Sequence, residues 1–374
     1  MNFIKPTFKI LEQQYNKETL IEDMFKHIEI CGRTCYKSED KITEKSYEKF
    51  VTMLTKSNHG AMLEHGTVYL TIPLGTPIDD PQYMWKHDIV NFFNKNKFSV
   101  VKEKTINEMV DVEIKGYGMR TQASATFYYI TTNWRVIIES KDKAIVKYFL
   151  NNFNIENETL ENSVLQWMTP PTENHEKRYT VKFTYHLAVA RDVNRHRVQS
   201  IGEESTRYCN YSKEKFGGEL NYIEPVFLTD DEKKIFNNPN RHLLLQTMCG
   251  QISDGTYHSL FEAIDYFMFA LGACELAYVN LIKLGWKPQH ASLILPLDTK
   301  TESVHTAFVS DFCHFFNLRA LGTTGAPRPS AKEVAWPLME EFLSKGWINI
   351  DMIDSQKYME IKNNYPNIED YIKK

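Results

Sequence analysis

The run RHRVQSIGEESTRY, Arg195 to Tyr208, follows YTVKFTYHLAVARDV after the single residue Asn194, and this junction constrains the chain more than any other feature. Val181, Phe183 and Tyr185 alternate with polar residues as on a half-buried strand, and the Ala-rich continuation then reads as a helix. A dense charge cluster therefore leaves the end of a strand–helix unit, the usual place for a site carried on a rigid scaffold. On a short helix, Arg191 and Arg195 share one face, and Arg197 and Arg207 add to it from the loop beyond. Like charges at this density call for an anion, and guanidinium forks suit phosphate oxygens, with Ser200 and Ser205 as further donors. Glu203 and Glu204 would hold the arginines or accept from a ribose hydroxyl. A solvated ion-pair network is the plain alternative, and Ser200 to Glu203 also fits an S-x-x-E capping box. Such a box should open an amphipathic helix, whereas the polar, Gly-interrupted CNYSKEKFGGELNY follows.

With 374 residues and 42% hydrophobic content, the chain can bury a sizeable core. Its net charge of −4 argues against wholesale nucleic-acid binding, so the local arginines point to small anions. No segment is expected to reach membrane-spanning length, and the N-terminus, with Lys and Glu among its apolar residues, is not expected to be a signal peptide. The six cysteines, Cys31, Cys35, Cys209, Cys249, Cys274 and Cys313, lack paired C-x-x-C spacing, which points to a reduced cytoplasmic setting without structural zinc.

Hydrophobic periodicity predicts helices over 19–30 and 43–57, a strand over 67–72, and a largely helical stretch over 241–284. Two more helices are expected over 303–319 and 331–345. Between 76 and 178 the chain opens on prolines and then reads as strands near 97–101, 111–115 and 126–138, with a polar helix near 158–168. Its aromatic density reads first as core or subunit contact, and second as a stacking surface. No internal repeat is present, and the C-terminal KNNYPNIEDYIKK reads as peripheral.

The Arg195–Tyr208 run resembles the signature of the flavin-dependent thymidylate synthases, the ThyX family, R-H-R-x-x-S-x-N-E-x-S-x-R-Y. Every specified position matches except Gly202, where the family usually has Asn. Two further segments resemble the family in the same order: HGAMLEHGTVYLTI, centred on Glu64 and His65, and the stretch from Gly285 to Arg319, closing on Asn317, Leu318 and Arg319. The likeness spans roughly 28–72 and 179–345.

The resemblance implies an α/β (α+β) fold with a central mixed sheet flanked by helices: a single catalytic domain over 1–374, carrying a strand-rich insertion at 76–178. It implies a homotetramer with sites built from several subunits, acting on a small nucleotide, with no nucleic-acid or membrane partner. The implied reaction is reductive methylation of dUMP to dTMP, with FAD as redox carrier, methylenetetrahydrofolate as carbon donor and NADPH as reductant. Carried over by position, His65, Arg195, His196, Arg197, Glu203 and His314 would contact FAD. Asp192, Arg195, Glu203, Glu204, Ser205, Thr206 and Arg207 would bind dUMP, and Arg319 would face the uracil ring as the principal catalytic residue. No metal is implied.

Several positions depart from the family pattern. Ser292 stands where an arginine usually meets the substrate phosphate, which leaves Arg328 or Lys300 to compensate. Phe308, Ser310 and His314 replace Asn, Arg and Asn. A flavin-dependent pyrimidine-nucleotide hydroxymethylase and a catalytically silent nucleotide-binding paralogue are the alternatives. A cysteine-dependent thymidylate synthase is disfavoured, since Cys313 lies in an aromatic helical stretch without the proline-flanked setting of that nucleophile.

Overall fold

The computed structural model describes residues 1–75, 80–114, 117–139, 164–196, 199–213, 218–236 and 263–374. The chain runs through β1 (Asn2–Ile4), β2 (Thr7–Leu11), α1 (Leu20–Tyr36), α2 (Ser46–Lys56), β3 (Thr67–Leu74), α3 (Tyr83–Lys95), β4 (Val100–Ile114), β5 (Tyr117–Asn133) and α4 (Trp134–Ile138). It continues through β6 (Arg178–His186), α5 (Leu187–Val193), β7 (Ser200–Glu203), β8 (Asn221–Ile223), α6 (Ala263–Lys283), β9 (Lys300–Phe308), α7 (Val309–Phe316), α8 (Pro329–Ser344), α9 (Ser355–Asn364) and α10 (Ile368–Lys373).

The organising element is a four-stranded sheet in the order β2-β6-β9-β7, antiparallel at every pairing. A parallel β1–β8 ladder joins it through a bridge between Tyr222 and Thr299, which supplies the mixed character of the α/β arrangement. Strand alternation sends Val181, Phe183 and Tyr185 of β6 into one core, with Phe312, Phe316, Leu338 and Phe342 of α7 and α8. The opposite face is covered too. Helix α1 buries Met24, Ile28, Cys31 and Cys35, at four- and three-residue spacing, and its His27 reaches Thr180 of β6 at 2.9 Å. β6 is therefore not the half-buried strand expected, because Arg178 and Thr180 on its polar face are buried as well.

A second sheet, β3-β5-β4, is antiparallel and built from residues 67–133 alone. β3 pairs along its whole length with β5, so the strand expected at 67–72 shares its sheet with the segment that follows it rather than with β6. Helix α3 packs on this unit through Ile89, Val90 and Phe93, in a stretch where no helix was expected. The expected strand over 126–138 ends at Asn133, whose side chain accepts from the Val136 amide at 3.1 Å and caps α4. Residues 158–163 and 241–262 lie outside the described residues, as does Cys249; the five other cysteines are unpaired.

The helix expected over 303–319 is corrected: Lys300–Phe308 is a strand, and helix begins only at Val309. All nine residues of β9 are buried, with strands on both sides and helices on both faces. A doubly covered central strand loses the polar–apolar alternation that marks a half-exposed one. A second correction concerns α6, which is long and apolar enough to cross a membrane by length and composition; in this fold it buries Ile264, Met268, Leu271 and Tyr278.

Burial of histidine sets the acid limit of this fold. Desolvation first, and then nearby positive charge, lowers His27, His175 and His196 from 6.5 to about 4, and His305 to about 3. The unfolded chain protonates these rings near pH 6.5 while the folded chain resists until about pH 4, so their contribution is complete above 6.5 and is lost as pH falls. Glu333, raised to about 7 by burial, acts in the opposite sense, as do the burial-raised carboxyls of Glu203, Asp298 and Asp311, while His65, also lowered, adds to the four rings. The urea midpoint should therefore fall steadily from pH 7 to pH 4; a flat or rising midpoint would refute this.

Candidate active site

Arg319 lies in a π-helical turn, Asn317–Leu321, that continues α7 and closes on Gly322 in the left-handed conformation (φ 70°). Such widened turns recur at functional sites because they re-aim one side chain without breaking the helix. Here the turn points Arg319 at the end of α5. Its Nη2 donates to the Asp192 carbonyl (2.7 Å) and its Nε to His196 Nε2 (3.3 Å). His196 must therefore present a lone pair at Nε2, consistent with burial, then Arg319, then His314 holding this imidazole neutral. The His314 ring lies edge-on to His196 at 5.7 Å. Arg328 reaches the Asp192 carboxylate at 3.2 Å, and Arg319 has no acidic partner among the described residues. The C-terminal segment, expected to be peripheral, braces this turn: Tyr371 donates to the Ala320 carbonyl (2.8 Å), and Asn317 Oδ1 accepts from the Asp354 amide (2.8 Å).

His65 forms a second grouping. It is fully buried, with Nδ1 2.8 Å from Thr306 Oγ1 and Nε2 left without a partner among the described residues. Beside it, Arg178 donates through Nη2 to the Glu64 carbonyl (3.2 Å) and Ser200 Oγ (3.1 Å), and through Nη1 to Thr67 Oγ1 (3.2 Å). One buried arginine thus ties the Glu64–His65 turn to the arginine-rich run. The Phe308 ring lies 5.4 Å from this guanidinium, so the residue that departs from the family pattern there packs against a cation. The Glu64 carboxylate accepts from Arg135 of α4 at 2.6 Å.

The remaining candidates spread along β7 and beyond. Glu203 accepts from Asn194 (2.9 Å) and Thr301 (3.1 Å), and burial raises its carboxyl. Glu204 turns away into a cleft of about 560 Å³ lined by Lys37, Tyr211, Lys300 and Glu302, where it pairs with Lys300 at 2.8 Å. Lys300 is also 2.9 Å from Glu302, so of the two compensating cations only Arg328 joins the Arg319 group. Ser205 donates its amide to the Cys35 carbonyl (3.0 Å) and starts a turn that carries Thr206 and Arg207 outward. Arg195 and Arg207 are exposed, and Arg207 lies over the Tyr208 ring at 5.6 Å. Arg197 lies outside the described residues. Ser200, expected to offer its hydroxyl to a ligand, is buried and bound to Arg178.

The glycine at 202 has a steric origin. A Cβ there would lie 2.7 Å from Cys35 Sγ and 2.9 Å from Met62 Cε, so the asparagine usual in the family has no room. Gly202→Asn should cost about 1–3 kcal/mol through overpacking. An unchanged urea midpoint would show that Met62 yields freely.

Sequence reasoning missed Arg178, His27, Thr180 and Thr306. The signal was the polar parity of β6, where Arg178, Thr180, Lys182 and Thr184 alternate with the core residues and were taken to face water. Among the described residues, no cluster of metal-ligating side chains is present.

Residues 171–345, which hold the arginine-rich run and the Arg319 turn, match the family described as thymidylate synthase complementing protein. The match, to the family of flavin-dependent thymidylate synthases, covers just under half of the chain. No curated protein matches the chain. Two solved structures of the UMP/dUMP methylase PolB from Streptomyces cacaoi are similar to it. The form bound with 5-Br dUMP is 18% identical at a TM-score of 0.31, covering 45% of this chain and 66%, just under two thirds, of that one. The form bound with 5-Br UMP is 12% identical at a TM-score of 0.34, covering 92% of each chain.

Proposed function

We propose that this protein is a flavin-dependent thymidylate synthase that converts dUMP to dTMP, with methylenetetrahydrofolate as carbon donor and NADPH as reductant. The observation that carries this reading is Arg319, a half-buried guanidinium held by a carbonyl and a neutral imidazole and left without a carboxylate among the described residues. A cation fixed in this way can stabilise negative charge developing on the uracil N3 and its carbonyls, making C5 nucleophilic without a covalent enzyme adduct. Asp192 and His196 hold that cation in place.

The residues also suit FAD. His196 is neutral, and among the described residues His65 offers a buried ring nitrogen without a partner and Arg195 is an exposed arginine without an ion pair. His314, Arg197 and Glu203 complete the proposed contact set. Bound FAD would supply the two-electron redox chemistry. Ser205, Thr206 and Arg207 are assigned to the dUMP phosphate, on a turn that leaves Arg207 free of ion pairs among the described residues. Arg207→Ala should weaken dUMP binding about tenfold or more, since a charge-assisted bond contributes roughly 1.5–3 kcal/mol. Unchanged affinity by calorimetry would remove Arg207 from the phosphate site.

Self-association as a homotetramer belongs to the same reading. Leu276, Leu284, Trp286, Leu293 and Leu297 expose apolar surface on and after α6, which a partner copy would cover. The unpaired thiols suit a reducing cytoplasm. The test of the flavoenzyme reading is anaerobic spectroscopy. Protein reconstituted with FAD should be yellow and bleach on addition of NADPH, whereas a colourless preparation that takes up no flavin would favour a silent nucleotide-binding paralogue.

A further inference from the structure

Behind His65 runs a buried chain of polar atoms. His65 Nδ1 is 2.8 Å from Thr306 Oγ1, which is 2.7 Å from Thr180 Oγ1, which is 2.9 Å from His27 Nε2. It crosses from β9 to β6 to α1, and all four side chains are at least nine-tenths buried. A proton count decides what the chain can do. Three links need three protons, and the two hydroxyls supply one each. Cys31 Sγ lies 3.7 Å from the same His27 nitrogen, a longer and weaker contact than the hydroxyl's at 2.9 Å, so with the three links formed one imidazole, and only one, donates the third proton. If both rings donated, a buried hydroxyl proton would have no acceptor within the chain. If neither did, the two threonine oxygens would face each other at 2.7 Å with no proton between them.

We propose that the Thr306–Thr180 bridge locks the tautomers of His65 and His27 together, so that His27, buried on α1, sets whether His65 Nε2 is a donor or an acceptor. When His27 donates from Nε2, the hydroxyls both point toward His65, its Nδ1 accepts, and its proton sits on Nε2. In the reverse orientation His65 donates from Nδ1, His27 accepts at Nε2, and His65 Nε2 carries a lone pair. The two rings thus carry the same tautomer, both Nε2–H or both Nδ1–H. Tautomer locking requires two neutral rings, and burial keeps both so: His27 is lowered to about 4 and His65 lies well below its ordinary value, with Arg178 adding to each. The atom so controlled is the buried Nε2, without a hydrogen-bond partner among the described residues. Its role toward flavin rests on the function proposed above, and His27, Thr180 and Thr306 are positioning residues in it.

The test is histidine-selective ¹⁵N labelling of the flavin-free full-length protein at pH 7, with ring tautomers read from long-range ¹⁵N–¹H correlations. Matching neutral tautomers at His65 and His27 support the lock; opposite tautomers, or a cationic ring, overturn it. In Thr180→Val a single hydroxyl proton serves the single remaining link to His65, so that ring should be Nε2–H whatever its wild-type state. An Nδ1–H ring in the variant also overturns the proposal. FAD affinity, measured separately by fluorescence, distinguishes the two readings. Matched tautomers without FAD binding would sink the flavin role and leave the lock, whereas mismatched tautomers with tight FAD binding would do the reverse.

Discussion

Arg319→Ala is expected to lower kcat by about 10²–10³-fold, the usual consequence of removing one preorganised charge that stabilises a developing anion. The guanidinium also bonds the Asp192 carbonyl and His196, so truncation removes two fixed contacts along with the charge. Arg319→Lys separates these effects. It keeps a cation but loses the planar fork that spans both acceptors, and should recover only part of the loss. The measurement is single-turnover kinetics with FAD binding followed in parallel. The loss should fall mainly on the chemical step; flavin affinity should weaken less, because among the proposed flavin contacts Arg319 bonds His196 but neither His65 nor Arg195. Wild-type turnover in Arg319→Ala would remove the residue from the mechanism.

Glu302→Gln is expected to cost about 3–5 kcal/mol of stability, the range for breaking a buried ionic cluster by removing one partner. Glu302 sits among three lysines: Lys182 at 2.6 Å, Lys300 at 2.9 Å, and Lys37 in direct contact. Burial pushes this carboxyl up, but the three ammonium groups outweigh it and hold it well below the ordinary carboxylate range. Neutralising it would leave Lys300, itself buried, with Glu204 alone. The cluster also fixes the path of the chain after the arginine-rich run, since the Glu204 amide donates to the Glu302 carbonyl at 2.7 Å. The check is urea unfolding with an unchanged slope. A loss under about 1 kcal/mol would place these groups in the class of weak surface ion pairs.

The strand–helix unit before the arginine run was legible in the sequence because Val181, Phe183 and Tyr185 face one core at period two, and the Ala-rich segment then continues as α5. Helices α1 and α2 were legible for the same reason, at period 3.6. β9 was not. Its threonines, serine, histidine and glutamate are all buried between strands and helices, so polarity carried no signal of exposure, and the aromatic helix after it lent it a helical reading. α4 was missed because one capping bond from Asn133 ends a β-branched, aromatic run that otherwise reads as strand.

At the site, residues of one motif were nameable, but their separation was not. Asp192, His196, His314 and Arg319 gather at the end of α5, whereas Glu204 faces a cleft with Lys300 and Arg207 rides a surface turn. Adjacent positions on a strand face opposite sides, so neighbours in a motif need not share a pocket. Arg178 was hidden for a related reason. Its partners, Glu64 and Ser200, lie 114 and 22 residues away, and nothing local marks a strand-end arginine as buried.

The central claim is that the Arg319 site methylates dUMP. Its most direct test is anaerobic incubation of the protein with FAD, NADPH, methylenetetrahydrofolate and dUMP, with the nucleotide identified by mass spectrometry. The expected product is dTMP, formed by wild type and formed far more slowly by Arg319→Ala. A hydroxymethylated nucleotide, or unchanged dUMP from protein that has bound FAD, would contradict it.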